Sequence, residues 1–413
     1  MTTSTFPGTG LRTFDVARTR SEFPILRGLS RGRPLIYLDS AASAQKPAAV
    51  IDAIARFYRS DYANIHRGVY DLSERSTRAW DDARAHVARF IGAATADEVV
   101  FVRGTTEAIN LVAASFLAPR LQRGGTVLVT EMEHHGNIVP WQLAGASTRP
   151  IPIFDDGDLD LAAAERLLAG GPALLAVTHV SNVLGTINPI AELSRMARRH
   201  GVPVLVDGAQ AAPHLPVDVR ALGCDFYCFS GHKLFGPTGI GVLWAREEHL
   251  RAMPPYQGGG DMIDEVTFAR TTYAPPPRRF EAGTPDIAGA VGLDAAMSWL
   301  GEQDRDGIAG HEDALRDHAL SALGALPGLR VLGAPARRAA VVAFTVDGVH
   351  PHDLASLLDA DGICVRAGHH CTQPLHRRFG LQATARASFA PYNTHDDVDA
   401  LAAAIARARK VFG

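Results

Sequence analysis

Between Ile36 and Trp244, short uninterrupted apolar runs alternate with stretches whose apolar residues recur every three or four positions. The runs at 98–102, 126–130, 173–178, 203–207, 225–230 and 239–245 are strand candidates. Segments such as Val204-Leu205-Val206 carry no polar alternation, the pattern of strands buried on both faces of a mostly parallel sheet. Amphipathic helices are predicted near 47–58, 74–91, 105–117 and 189–200. Pro189 suits the first position of the last, where a missing N–H leaves no hydrogen bond unmade. Strands and helices in this alternation predict an α/β sheet covered by helices.

The rhythm breaks at Gly258-Gly259-Gly260 and again at Tyr273-Ala274-Pro275-Pro276-Pro277, where no regular element is expected. Past Pro285 the texture changes. Helices at 287–301 and 312–326, strands at 339–344, 363–366 and 386–389, and a last helix at 395–411 describe a smaller α+β unit. A chain of 413 residues exceeds what one ordinary core serves. The expected division is a large domain over 21–284 and a small one over 285–413, joined by part of 1–20. Neither an internal repeat nor a low-complexity tract interrupts it.

Composition changes this picture only by exclusion. Hydrophobic residues at 46% and charged residues at 21% are those of a folded chain rather than a disordered one. A formal net charge of -3 gathers neither nucleic acid nor an anionic membrane, and the arginines form no basic block. The first twenty residues lack an apolar signal core, and no window is apolar for long enough to cross a bilayer, so a cytoplasmic location is expected. Four cysteines in so long a chain suit a reducing compartment. Cys224 and Cys228 fall in a strand-like run and stand roughly 13 Å apart there, too far to share a zinc; no metal site is expected.

Ligands of open α/β sheets gather at the carboxyl ends of strands. There the sequence places Arg103-Gly104-Thr105-Thr106-Glu107, whose hydroxyls and free helix N–H groups suit a phosphate, although a threonine at a helix start is equally a cap. The strand ending in Asp207-Gly208-Ala209-Gln210 buries an acid that needs a cationic partner, or else caps a turn. The next ends in Ser230-Gly231-His232-Lys233, and a desolvated lysine there becomes a usable amine for a Schiff base. In a loop bounded by Gly368 and Pro374 stands His369-His370-Cys371, where imidazoles can favour a thiolate. Cys364, Cys224 and Cys228 read as core.

Taken in order, these strings resemble the class V aminotransferase family of fold-type I pyridoxal-phosphate enzymes, and within it the group II (Suf-type) cysteine desulfurases. The resemblance spans nearly the whole chain. It also rests on Tyr37-Leu38-Asp39-Ser40-Ala41-Ala42, Asn64-Ile65-His66-Arg67-Gly68, Met132-Glu133-His134-His135-Gly136-Asn137, Thr178-His179-Val180-Ser181-Asn182, Arg279-Phe280-Glu281-Ala282-Gly283-Thr284-Pro285 and Arg366-Ala367-Gly368-His369-His370-Cys371.

That resemblance implies a homodimeric sulfurtransferase that uses pyridoxal 5'-phosphate to convert L-cysteine to L-alanine. Lys233 would hold the cofactor covalently, Asp207 would pair with the ring nitrogen, Gln210 with the ring hydroxyl, and His134 would stack on the ring, with His135 its rival. Thr105, Thr106, Ser230 and His232 would hold the phosphate, joined by Thr284 of the second subunit. Asn182 and Arg386 would bind the substrate carboxylate, and His66 and Arg366 would line the same pocket. Cys371 would receive the sulfur as a persulfide and hand it to a small acceptor protein of the Suf system for iron–sulfur cluster assembly. Tyr70, Thr372 and Ala390-Pro391 depart from the family pattern. The rival readings are selenocysteine lyase, another class V reaction, or a sulfur scaffold without turnover.

Overall fold

The computed structural model describes residues 14–121 and 125–412. Its main sheet has seven strands: β1 Val99–Val102, β2 Thr126–Thr130, β3 Ser147–Ile151, β4 Leu174–Thr178, β5 Val204–Asp207, β6 Phe226–Ser230 and β7 Gly241–Ala245. They lie in the order β1-β7-β6-β5-β4-β2-β3. β7 runs antiparallel to both neighbours, and every other pairing is parallel.

Alternate residues of these strands feed two apolar layers. Val99, Phe101, Leu175, Val177, Val204, Val206, Tyr227 and Phe229 pack on one side. Val100, Val102, Leu174, Ala176, Leu205, Phe226 and Cys228 pack on the other. Since both faces are covered, polar alternation has nowhere to appear, which is why the runs read as continuous apolar strings. Within the first layer Arg84 and Glu281 form a buried two-pronged pair at 2.7 and 2.8 Å. Glu281 also accepts from the Phe101 N–H at 2.7 Å, fastening the segment before Thr284 to the edge of β1.

A second, antiparallel sheet is built from β8 Leu329–Val331, β9 Val341–Val346, β10 Arg366–Gly368 and β11 Thr384–Ser388, in the order β8-β9-β11-β10. Helices Arg305–Gly324, Pro351–Ala360 and His395–Phe412 pack around it. The helix Ile287–Gly301 lies beyond the expected boundary in sequence, yet it packs on Ala48–Ser60 and Asp71–Phe90 and shares the core of the main sheet.

Several elements differ from the sequence reading. Between the breaks at 258–260 and 273–277, where no element was read, lies a hairpin of Ile263–Val266 and Thr271–Tyr273, whose mostly exposed residues leave no apolar signal. The strand expected at 363–366 is split: Ile363–Cys364 pairs in parallel with Ile36–Tyr37, and only Arg366 onward joins the second sheet. The helix expected from 312 starts at Arg305, where Asp304 accepts from the Gly307 N–H at 2.9 Å. Cys224 and Cys228 are buried, but Cys364, expected in the core, is half-buried. Among the described residues no helix is long and apolar enough to cross a membrane.

Candidate active site

The carboxyl ends of β4, β5 and β6, the helix start after β1 and the turn after β2 converge on a cavity of about 180 Å³. Two glycines let them meet. Gly104 has φ 153°, and a Cβ there would sit 3.1 Å from the Ser230 hydroxyl; a Cβ on Gly241 would come within 2.5 Å of the Gly104 Cα. The backbone after β1 therefore folds directly onto the end of β6. Thr105 donates its N–H to the Ser230 hydroxyl at 2.9 Å, and the two hydroxyls lie 2.9 Å apart. Thr106 and His232 line the same wall, with His232 Nδ1 3.2 Å from the Ser43 hydroxyl. Burial, and then the charges of Lys233 and Lys46, push the His232 imidazole down to about 4.

Opposite this cradle, β5 delivers Asp207. It is buried and accepts from the Ala209 N–H at 2.9 Å. Burial pushes its carboxyl up, while the Ala209 bond and the nearby Lys233 charge oppose the shift. Gln210 donates to the Ala41 carbonyl at 2.7 Å. Lys233 ends the tight turn Gly231–Lys233 after β6, partly open to the cavity yet deep in the protein. Burial drives its ammonium down to about 8; Asp207 pulls the other way, and Arg386 and Arg366 push further down.

His134 follows β2 and faces the same space. Its Nδ1 accepts from the Gly136 N–H at 3.0 Å, so the neutral ring carries its proton on Nε2. Burial and then the Lys233 charge push it down to about 4. Beneath it lies Glu133, which had no role in the sequence reading. The Thr130 hydroxyl, the Asn137 amide and the Thr178 N–H bond its carboxylate at 2.6, 2.7 and 2.8 Å, and burial raises it to about 7. Its position three residues after an apolar strand was the available signal.

From the second sheet, β11 brings Arg386, only 1% exposed. It donates to Asp39 at 2.8 Å and to the Asn182 carbonyl at 3.0 Å, and its Nε has no partner among the described residues. Arg366 also lines the cavity and forms no ion pair among the described residues. Asn182 donates to the His370 carbonyl at 2.9 Å, linking Arg386 to the cysteine loop. Cys371 is half-buried beside the cavity rather than in its lining, while its neighbour His370 is in the lining. The Cys371 carbonyl accepts from the His135 N–H at 2.7 Å.

Two predicted residues lie apart. His66 does not line the cavity; its Nδ1 is 3.1 Å from Asp261. Thr284 is exposed and borders a separate depression with Arg103 and Tyr256. The departure at Pro391 leaves a closed turn, with Asn393 accepting from the Ala390 N–H at 3.0 Å and the Tyr392 hydroxyl 2.8 Å from that of Ser40.

A buried acid, a lysine of lowered proton affinity and a glycine-shaped hydroxyl cradle fit pyridoxal phosphate. The acid suits the ring nitrogen, the amine the aldehyde and the cradle the phosphate.

Comparison with known proteins agrees. The chain is 52% identical over 405 residues to the cysteine desulfurase of Dickeya dadantii, covering 97% of this chain and 98% of that one. Serratia proteamaculans has a cysteine desulfurase 50% identical, with 97% and 100% covered. A crystal structure of a cysteine desulfurase from Escherichia coli superposes with a TM-score of 0.90 at 41% identity, covering 97% of this chain and all of that one. The aminotransferase class-V profile matches residues 36–401, so this chain, with its fold-type I architecture, belongs to the class V aminotransferase family.

Proposed function

We propose that the chain is a pyridoxal-phosphate-dependent cysteine desulfurase that converts L-cysteine to L-alanine and keeps the sulfur on Cys371. The observation that supports it most is the meeting of a low-affinity amine, Lys233, and a cysteine loop at one cavity, in a chain half identical to cysteine desulfurases. When bound, pyridoxal phosphate withdraws electrons from the substrate's α-carbon. Thr105, Thr106, Ser230 and His232 hold its phosphate, with Thr284 contributed by a second copy of the chain. Asp207, Gln210 and His134 fix the ring nitrogen, hydroxyl and face.

Lys233 Nζ would hold the cofactor and, when free of it, accepts the α-proton as a neutral amine. Arg386 and Asn182 orient the substrate carboxylate, and Arg366, which lines the same cavity, adds a second positive charge. Cys371 Sγ, as thiolate, forms a bond to the substrate sulfur while the carbon–sulfur bond breaks. The carbon skeleton leaves as alanine, and the enzyme retains a persulfide. In the same reading the chain works as a cytoplasmic homodimer divided at residue 285, and a small acceptor protein takes the sulfur towards iron–sulfur clusters.

Peptide mass spectrometry after exposure to L-cysteine tests this. One added sulfur on Cys371, with alanine released, is expected. Alanine released with sulfur only on Cys364, or with none on the protein, would refute the assignment.

A further inference from the structure

The turn that carries Cys371 is conformationally costly. His370 and Cys371 both take left-handed backbone angles, φ 50° and 58°, and neither is glycine. Such residues are strained and persist only where surrounding contacts hold them. The contacts are countable here. On the inner side the Asn182 amide donates to the His370 carbonyl at 2.9 Å, and His370 Nε2 lies 2.9 Å from the Thr384 hydroxyl. On the outer side two imidazoles act together. His369 Nδ1 accepts the Cys371 N–H at 3.2 Å, and His135 Nε2 accepts the Gln373 N–H at 3.0 Å. The His135 N–H also donates to the Cys371 carbonyl at 2.7 Å.

Gln373 opens the helix Gln373–Arg378, so its N–H is one of those that no helical carbonyl can take. The centroids of the His135 and His369 rings lie 5.4 Å apart. An imidazole accepts a hydrogen bond only through an unprotonated nitrogen, so both rings serve as neutral bases towards the backbone.

We propose that His135 and His369 are positioning residues for sulfur transfer: by accepting the backbone N–H groups at and beyond Cys371, they lock the strained turn that holds the cysteine beside the cavity. This rests on Cys371 being the sulfur acceptor. It also separates the neighbouring histidines, since His134 faces the cavity while His135 faces the loop.

The chemistry of the acceptors provides the test. Glutamine Oε1 reaches about as far as imidazole Nε2, and asparagine Oδ1 about as far as Nδ1, so H135Q/H369N retains both acceptors and H135A/H369A removes them. Three quantities are measured on the cofactor-loaded enzymes: amide hydrogen exchange over the peptide containing Cys371 and Gln373, kcat and KM for alanine release, and persulfide on Cys371. The alanine pair should exchange roughly tenfold faster or more, the scale expected for two lost hydrogen bonds. Its kcat should fall by a similar factor with KM and the cofactor's visible absorbance little changed. The glutamine–asparagine pair should recover both exchange protection and kcat.

Wild-type exchange and kcat in the alanine pair would overturn the proposal. So would fast exchange in the glutamine–asparagine pair, or protection without recovered kcat, which would assign the imidazoles proton transfer instead. Absence of persulfide on Cys371 in the unmodified enzyme would instead refute the parent assignment of the sulfur acceptor.

Discussion

Lys233 offers the sharpest quantitative test, because opposing charges surround a single amine. With its pKa near 8 rather than the ordinary 10.5, about a quarter of the amine is free at pH 7.5, against about one part in a thousand for an unperturbed lysine, a gain of roughly 200-fold. Capture of pyridoxal phosphate by cofactor-free protein, fixed by borohydride and read by mass, should therefore rise with pH through a midpoint near 8 and level off about one pH unit above it. The neighbours predict signs as well. Asp207 holds the proton on the lysine, so Asp207→Asn should move the midpoint lower; Arg366 repels it, so Arg366→Gln should move the midpoint higher. A wild-type midpoint near 10, or both variants shifting the same way, would refute the electrostatic account of this site.

Replacing Glu281 with Gln should leave the buried Arg84 charge uncompensated at a cost of about 3–5 kcal/mol. Over 413 residues, an unfolding entropy of roughly 2.1 cal/mol/K per residue turns this into a melting point lower by about 3–6 °C, and a change under 1 °C by calorimetry would refute it. His134, His179 and His232 are each pushed down to about 4, chiefly by burial. Between pH 6.5 and 4 the folded state then binds fewer protons than the unfolded chain, so stability should fall with acidification through that window. Glu133, raised to about 7, acts in the opposite direction between 7 and 4.5, and Tm measured against pH should still show the net loss. Gly241→Ala would press a methyl into the Gly104 backbone, and dialysis should strip pyridoxal phosphate from that variant far faster than from wild type.

The central strands were legible because burial on both faces writes them as unbroken apolar runs, as in β4 and β5. The edge strand β3 was not. It carries Arg149 and Pro150 on a largely exposed edge, where neither alternation nor apolarity is required. The helix Pro351–Ala360 went unread although His350 caps it and Pro351 opens it, since only Leu354 and Leu358 are buried along its length. At the site, residues that follow strands, such as Asp207 and Lys233, could be placed by the rule of strand ends. Pairings across the chain could not. Asp39 meets Arg386 over 347 residues and His135 meets Gln373 over 238, and no local pattern encodes such meetings.

The reversed strand β7 has a bearing on how the molecule is assembled. It is the sole link between β1 and β6, so Thr105 and Ser230, 125 positions apart, cannot touch until residues 241–245 have slotted between their strands. A chain truncated before Gly241 would possess the hydroxyls of Thr105, Thr106 and Ser230 and still have no cradle. Retention of pyridoxal phosphate thus becomes a reporter of completed folding, sensitive to a long-range closure that local structure cannot anticipate.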